Sequence, residues 1–154
     1  MNRLQFLKAA AGLALVPVAG LAVAAAKGTP AEAEAMVRKA AALIKSAGPA
    51  KAFEEITNGA AFKDRDLYVF VYDLTGKCVA HGANPKLIGK DLIGLKDPDG
   101  KPLVQMLVDL AKDKGKGWTD TVKFRNPTTD QIQTRVNYIE RVGDYAVGSG
   151  VFKD

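Results

Sequence analysis

The sequence predicts an α+β domain, and three observations carry that prediction. Apolar residues recur at helical spacing in three segments, they alternate or run together at strand spacing in five others, and short turn clusters join neighbouring strands into antiparallel hairpins. The predicted order is helix, helix, two strands, helix, three strands, with the helices packed to one side of the hairpins.

The elements follow in order. Thr29-Pro30-Ala31-Glu32 unites an N-cap hydroxyl, a proline at the first helical position and an acid three residues on. Met36, Val37, Ala40, Leu43, Ile44 and Ala47 then form one stripe until Gly48-Pro49 stops the helix. A shorter helix spans about Ala50 to Thr57, with Phe53 and Ile56 inward and Asn58-Gly59 at its end. From Leu67 to Tyr72 both faces are apolar, which predicts a central strand. Asp73 to Gly76 turns the chain into a return strand, Lys77 to His81. A glycine-punctuated loop follows, and Asp97-Pro98-Asp99-Gly100 reads as a turn, because the further ligands of a calcium loop do not follow in register. Pro102 opens a helix carrying Leu103, Met106, Leu107 and Leu110, which ends in Lys114 to Gly117. Trp118 to Arg125, Ile132 to Arg141 and Tyr145 to Phe152 are the last three strands, divided by Asn126 to Asp130 and by the two-residue turn Gly143-Asp144.

The first 26 residues read differently. Arg3 and Lys8 precede a long Ala/Leu/Val/Gly run, and Ala24-Ala25-Ala26 supplies a small-residue cleavage site, so residues 1–26 are expected to be a secretory signal peptide. A membrane anchor is the rival reading of the same run. Cleavage leaves residues 27–154 as a single domain placed in the periplasm. The net charge of +5 is spread along the chain without an arginine stripe interleaved with aromatics, which argues against nucleic acid as a partner. Cys78 and His81 are the only cysteine and histidine, so an internal disulfide, a c-type haem site and a His/Cys zinc cluster are excluded, and no cofactor is expected. Cys78 is either a small buried strand residue or a thiol that cross-links two copies. Ser46 and Ser149, the only serines, lie outside any G-x-S-x-G pattern, and paired carboxylates are not evident, so catalysis is not expected.

The ordered set Val69-Phe-Val-Tyr-Asp-Leu-Thr-Gly-Lys77, Ala80-His81, Asn84-Pro-Lys-Leu-Ile-Gly-Lys-Asp-Leu92, Asp97-Pro-Asp-Gly-Lys101, Gly117-Trp118, Phe124-Arg-Asn-Pro-Thr128, Arg135-Val-Asn-Tyr138 and Arg141 to Phe152 resembles the single Cache domains. These are PAS-like extracytoplasmic sensor modules of bacterial chemoreceptors and histidine kinases, here of type 2. The resemblance covers roughly Pro30 to the end. It implies a five-stranded antiparallel sheet with the long N-terminal helix on one face. On the other face it implies a small-molecule pocket, closed by the helix and loops between strands two and three. Two features depart from the family pattern: Arg135 stands where a lysine is usual, and Thr119-Asp120-Thr121 interrupts an aromatic-rich third strand.

Phe70, His81, Met106, Trp118, Phe124, Arg135 and Tyr138 are the candidate ligand-binding residues. Arg135 on a pocket-facing strand would fork onto a carboxylate, whereas on the outer face it would be solvated. His81 either meets a ligand or is satisfied by backbone. Trp118 and Phe124 share strand parity and form either an aromatic box with Met106 above it or ordinary core, while alternation sets Tyr138 opposite Arg135. The expected ligand is a small organic acid. Because the last strand reaches Phe152 and the sequence runs to Asp154, signalling is expected to pass through a membrane sensor or receptor. A homodimer through the N-terminal helix is also expected as an arrangement, and a docking module with a degenerate pocket is the alternative function.

Overall fold

The structure, a computed structural model, describes residues 27–153. The signal or anchor expected at residues 1–26 lies outside them. Helix α1 (Pro30–Ala47) begins where its capping box predicts: the Thr29 hydroxyl accepts the Glu32 amide, and the Glu32 carboxylate accepts the Thr29 amide at 2.8 Å. Its buried stripe is Ala33, Val37, Ala40, Ala41 and Ile44, and the alanines let the helix lie close against a sheet. Gly48, at φ 84°, ends α1, and Pro49 opens α2 (Pro49–Asn58) with no linker between them. The start of α1 is also tied to a distant turn, since Asp66 accepts the Gly28 amide at 2.6 Å and Arg65 donates to the Lys27 carbonyl at 2.9 Å.

The strands are β1 (Lys63–Asp64), β2 (Leu67–Asp73), β3 (Cys78–His81), β4 (Lys116–Trp118), β5 (Val122–Arg125), β6 (Ile132–Val142) and β7 (Tyr145–Lys153). All pairings are antiparallel. The two-residue β1 and then β3 pair with one side of β2; β7 pairs with the other, β6 follows β7, and β4 and β5 both pair with β6. The result is a sheet of five main strands, because β4 and β5 are two pieces of one edge and the two-residue β1 only extends the other edge beyond β3. The β6–β7 hairpin turns on Gly143-Asp144, with Gly143 at φ 57° and Val142 paired to Tyr145.

Each face of the sheet carries its own core. Val69 and Val71 of β2 pack with Val37, Ala40, Ala41 and Ile44 of α1. The alternate residues Tyr68, Phe70 and Tyr72 pack with Val104, Leu107, Val108 and Ala111 of α3 (Leu103–Lys114). The helices therefore flank the sheet instead of sharing one side: a β2 strand apolar on both faces needs a cover on each. Cys78 is fully buried in the α3-side core and burial pushes its thiol up to about 11, a neutral packed residue with no path to a second copy. Among the described residues no helix is long and apolar enough to cross a membrane.

One expectation fails locally. The strand predicted from Trp118 to Arg125 is broken at Thr119 to Thr121. Trp118 pairs with Tyr138 and Val122 with Arg135, so three residues on this edge oppose two on β6. One extra residue reverses which face each following side chain takes. Trp118 and Phe124 share sequence parity but not a face.

Candidate functional site

On β6, Arg135, Asn137 and Ile139 point to the α3 side of the sheet, whereas Tyr138 belongs to the α1-side core. Arg135 is 3% exposed. Its Nη1 donates to the Tyr68 hydroxyl at 2.6 Å. Its guanidinium lies 4.8 Å from the ring centre of Tyr68, 5.1 Å from those of Phe124 and Phe152, and 5.5 Å from that of Phe70. These aromatic faces hold a cation in place. They do not hydrogen-bond it: Nε and Nη2 are buried without a partner, and among the described residues no carboxylate forms an ion pair with Arg135. A buried guanidinium left so is costly to hold. Two orphaned N–H groups of one guanidinium are complementary to the two oxygens of a carboxylate.

The space for that side chain comes from β7. A methyl group at position 150 would overlap Arg135 Nε and Asn137 Oδ1, and one at position 148 would sit 2.5 Å from Phe70 Cε2 and Ile139 Cδ1. Gly148 and Gly150 alternate with the buried Ser149, so the pocket face of this central strand is bare backbone under Phe70 and Arg135.

His81 ends β3, directly across from Phe70 in register, and is 4% exposed. Its ring lies 5.0 Å from that of Tyr68 and is stacked 6.3 Å from that of Phe70. Nδ1 accepts the Ala83 amide at 3.2 Å and the Asn84 amide at 2.9 Å. The neutral ring therefore carries its proton on Nε2. Both readings of this histidine meet in one residue: backbone satisfies Nδ1, and Nε2–H is left as a donor at a cavity wall.

Burial, with the Arg135 charge second, pushes His81 down to about 4. Its folded pKa lies below the unfolded value, so the folded state binds fewer protons between about pH 4 and 6.5. Stability from this group is fully present above about pH 6.5 and is lost as pH falls through about 4, a change on the order of 3 kcal/mol. Thermal melts of the wild type and His81→Asn across pH 4 to 7 check this: the gap between the two curves is expected to narrow toward acid pH. A constant gap would contradict it.

Arg135, His81, Tyr68, Phe70, Phe124 and Asn137 enclose a cavity of about 30 Å³, roofed by Leu103 and Leu107 of α3. A single water needs roughly 10–15 Å³, so the chamber takes a group the size of a carboxylate and little more. The structure thus brings Phe70, His81, Phe124 and Arg135 together. It sets the other three candidates apart. Met106 is on α3 but lines no part of the chamber, whose α3 wall is Leu103, Val104 and Leu107. Trp118 and Tyr138 pair across β4 and β6 with ring centres 5.4 Å apart and planes tilted by 54°, on the opposite side from Arg135.

Tyr68 and Asn137 also line the chamber, and neither was among the candidate residues. Tyr68 shares parity with Phe70 on β2, and Asn137 shares parity with Arg135 on β6. That alternation was the available signal.

The Asp97 turn has a structural duty. Asp97 accepts amides from Asp99, Lys101 and, across to β5, Lys123 at 2.9, 2.8 and 2.9 Å. The Lys123 bond is the main reason its carboxyl is held below the usual range. It clips the loop before α3 to the edge strand, which fixes Val122 and Phe124 against the chamber. Among the described residues no group of three or more His, Cys, Asp or Glu is placed to hold a metal ion.

The fold is similar to those of solved chemosensory domains. A crystal structure of a methyl-accepting chemotaxis protein from Vibrio parahaemolyticus superimposes with a TM-score of 0.69 at 25% identity, covering 80% of this chain and 88% of that one. A Cache chemosensory domain, solved for the structural basis of carboxylic acid recognition, superimposes with a TM-score of 0.64 at 26% identity, covering 79% and 86%. In sequence, the methyl-accepting chemotaxis protein McpP of Pseudomonas putida is 32% identical over 93 residues, 59% of this chain but only 17% of that receptor. The similarity to McpP is thus to one part of a much longer protein. The family description Single Cache domain 2 matches residues 13–152, spanning every helix and all but the last residue of the final strand. Sheet order, flanking helices and sequence agree, and the chain belongs to the single Cache domain 2 family.

Proposed function

We propose that this protein is a non-catalytic sensor domain that binds a small carboxylate in the chamber between the sheet and α3. The observation that carries the reading is Arg135: a buried cation with two unsatisfied N–H groups, held by aromatic rings at a cavity of carboxylate size. His81 Nε2–H would supply a second donor, and the chemosensory neighbour solved for carboxylic acid recognition supports the ligand class.

The periplasmic placement rests on the sequence of residues 1–26. Passage of the signal to a membrane sensor or receptor, and pairing through α1, are parts of the same proposal.

Thermal-shift titration with a panel of acids, their methyl esters, amino acids and sugars tests it. Acids are expected to stabilise by about 2.7 kcal/mol at a hundredfold excess over Kd, and the esters are expected to do nothing. Equal stabilisation by acid and ester, or by no compound at all, would overturn it.

A further inference from the structure

A second cavity, of about 260 Å³, adjoins the first. Tyr68, His81 and Phe124 border both. Its own walls are Ala83 and Leu87 on the β3 side and Pro127 on the β5–β6 turn, with Asn84 and Arg125 at the rim. Each of the two polar residues already has a partner within its own turn. The Asn84 side chain accepts the Lys86 amide at 3.2 Å, capping the short 3-10 turn Pro85–Leu87. Arg125 donates to the Asp130 carbonyl at 2.7 Å and to its carboxylate at 3.1 Å. What remains open is an apolar space beside a chamber too small for more than a headgroup.

We infer that the two cavities form one divided site, which selects a monocarboxylate with an apolar tail over the shortest acids and over dicarboxylates. The headgroup lies on Arg135 in the inner chamber, and the tail passes between His81 and Phe124 into the outer one, against Leu87 and Pro127. A second carboxylate at the tail end loses its water against Ala83, Leu87 and Pro127, and Arg125 at the rim already shares its Nη1 with Asp130. Leu87 then sets the tail length, since it lines only the outer cavity and stands apart from the headgroup. The inference rests on the carboxylate reading of Arg135.

Calorimetric titration with acetate, propionate, butanoate, pentanoate, hexanoate and succinate tests it. Affinity is expected to rise about fourfold for each buried methylene beyond propionate, with succinate weaker than butanoate. Leu87→Trp is expected to flatten that rise. Leu87→Ala, which cannot overfill the site, is expected to shift the optimum to longer acids. Affinity that is flat or falls beyond propionate, or a rise that both Leu87 variants preserve, overturns the divided site and leaves the inner-chamber reading standing. If no monocarboxylate of any length binds, that underlying reading fails as well.

Discussion

Replacing Arg135 by alanine is expected to lower affinity for carboxylates by roughly ten- to a hundredfold, the loss of charge-assisted bonds worth about 1.5–3 kcal/mol. Nothing else among the described residues can take over, because the chamber's other polar groups are His81, Asn137 and the hydroxyls of Tyr68 and Tyr72, and burial keeps His81 neutral at physiological pH. Arg135→Lys separates charge from shape. An ammonium keeps the charge but cannot present two parallel donors to one carboxylate, so this variant is expected to fall between wild type and alanine. Calorimetry on the three proteins checks the order, and an alanine variant that binds acids as wild type does would remove Arg135 from the site. The unliganded protein should suffer far less, since the same substitution removes a buried cation with two unsatisfied N–H groups.

Gly150→Ala has the second large effect, and its signature is coupling. The added methyl overlaps Arg135 Nε and Asn137 Oδ1 on a strand flanked by β2 and β6, where backbone shift is restricted. Overpacking of this kind costs about 1–3 kcal/mol. It also drives the guanidinium from the position its aromatic neighbours define, so binding falls with stability. In the Arg135→Ala background the worst overlap is gone, and Gly150→Ala should cost markedly less. A double-mutant cycle by equilibrium denaturation measures this as a coupling within about 0.5–3 kcal/mol. Strict additivity would show that Gly150 serves the strand and not the arginine.

Much of this arrangement is legible in the sequence because local chemistry determined it. The Thr29 to Glu32 capping box, the Gly48-Pro49 break and the Gly143-Asp144 hairpin each specify a boundary through backbone groups within a few residues. The strand Leu67 to Tyr72, apolar on both faces, already required a central position with a cover on each side.

The site was legible only in part. Phe70, His81, Phe124 and Arg135 line one chamber, but alternation alone could not say which face of β6 carries it. The extra residue in Thr119 to Thr121 left no mark in the hydrophobic pattern, since three polar residues look the same whether the strand runs straight or bulges. That single residue sends Trp118 to Tyr138 and away from Phe124. Gly148 and Gly150 carry a packing meaning visible only once Phe70 and Arg135 lie above them. Asn137 and Tyr68 were readable by parity with their neighbours, and the polar identity of one and the ambiguous role of the other hid them.

The most direct test of the carboxylate site is nitrogen NMR of the arginine side chains during titration with propionate and with its uncharged amide. The Arg135 Nε–H is buried and without a partner, so its resonance is expected to shift saturably with propionate and to stay in place with propionamide. A propionate complex formed while the Arg135 signal does not move would place the acid elsewhere and contradict the account.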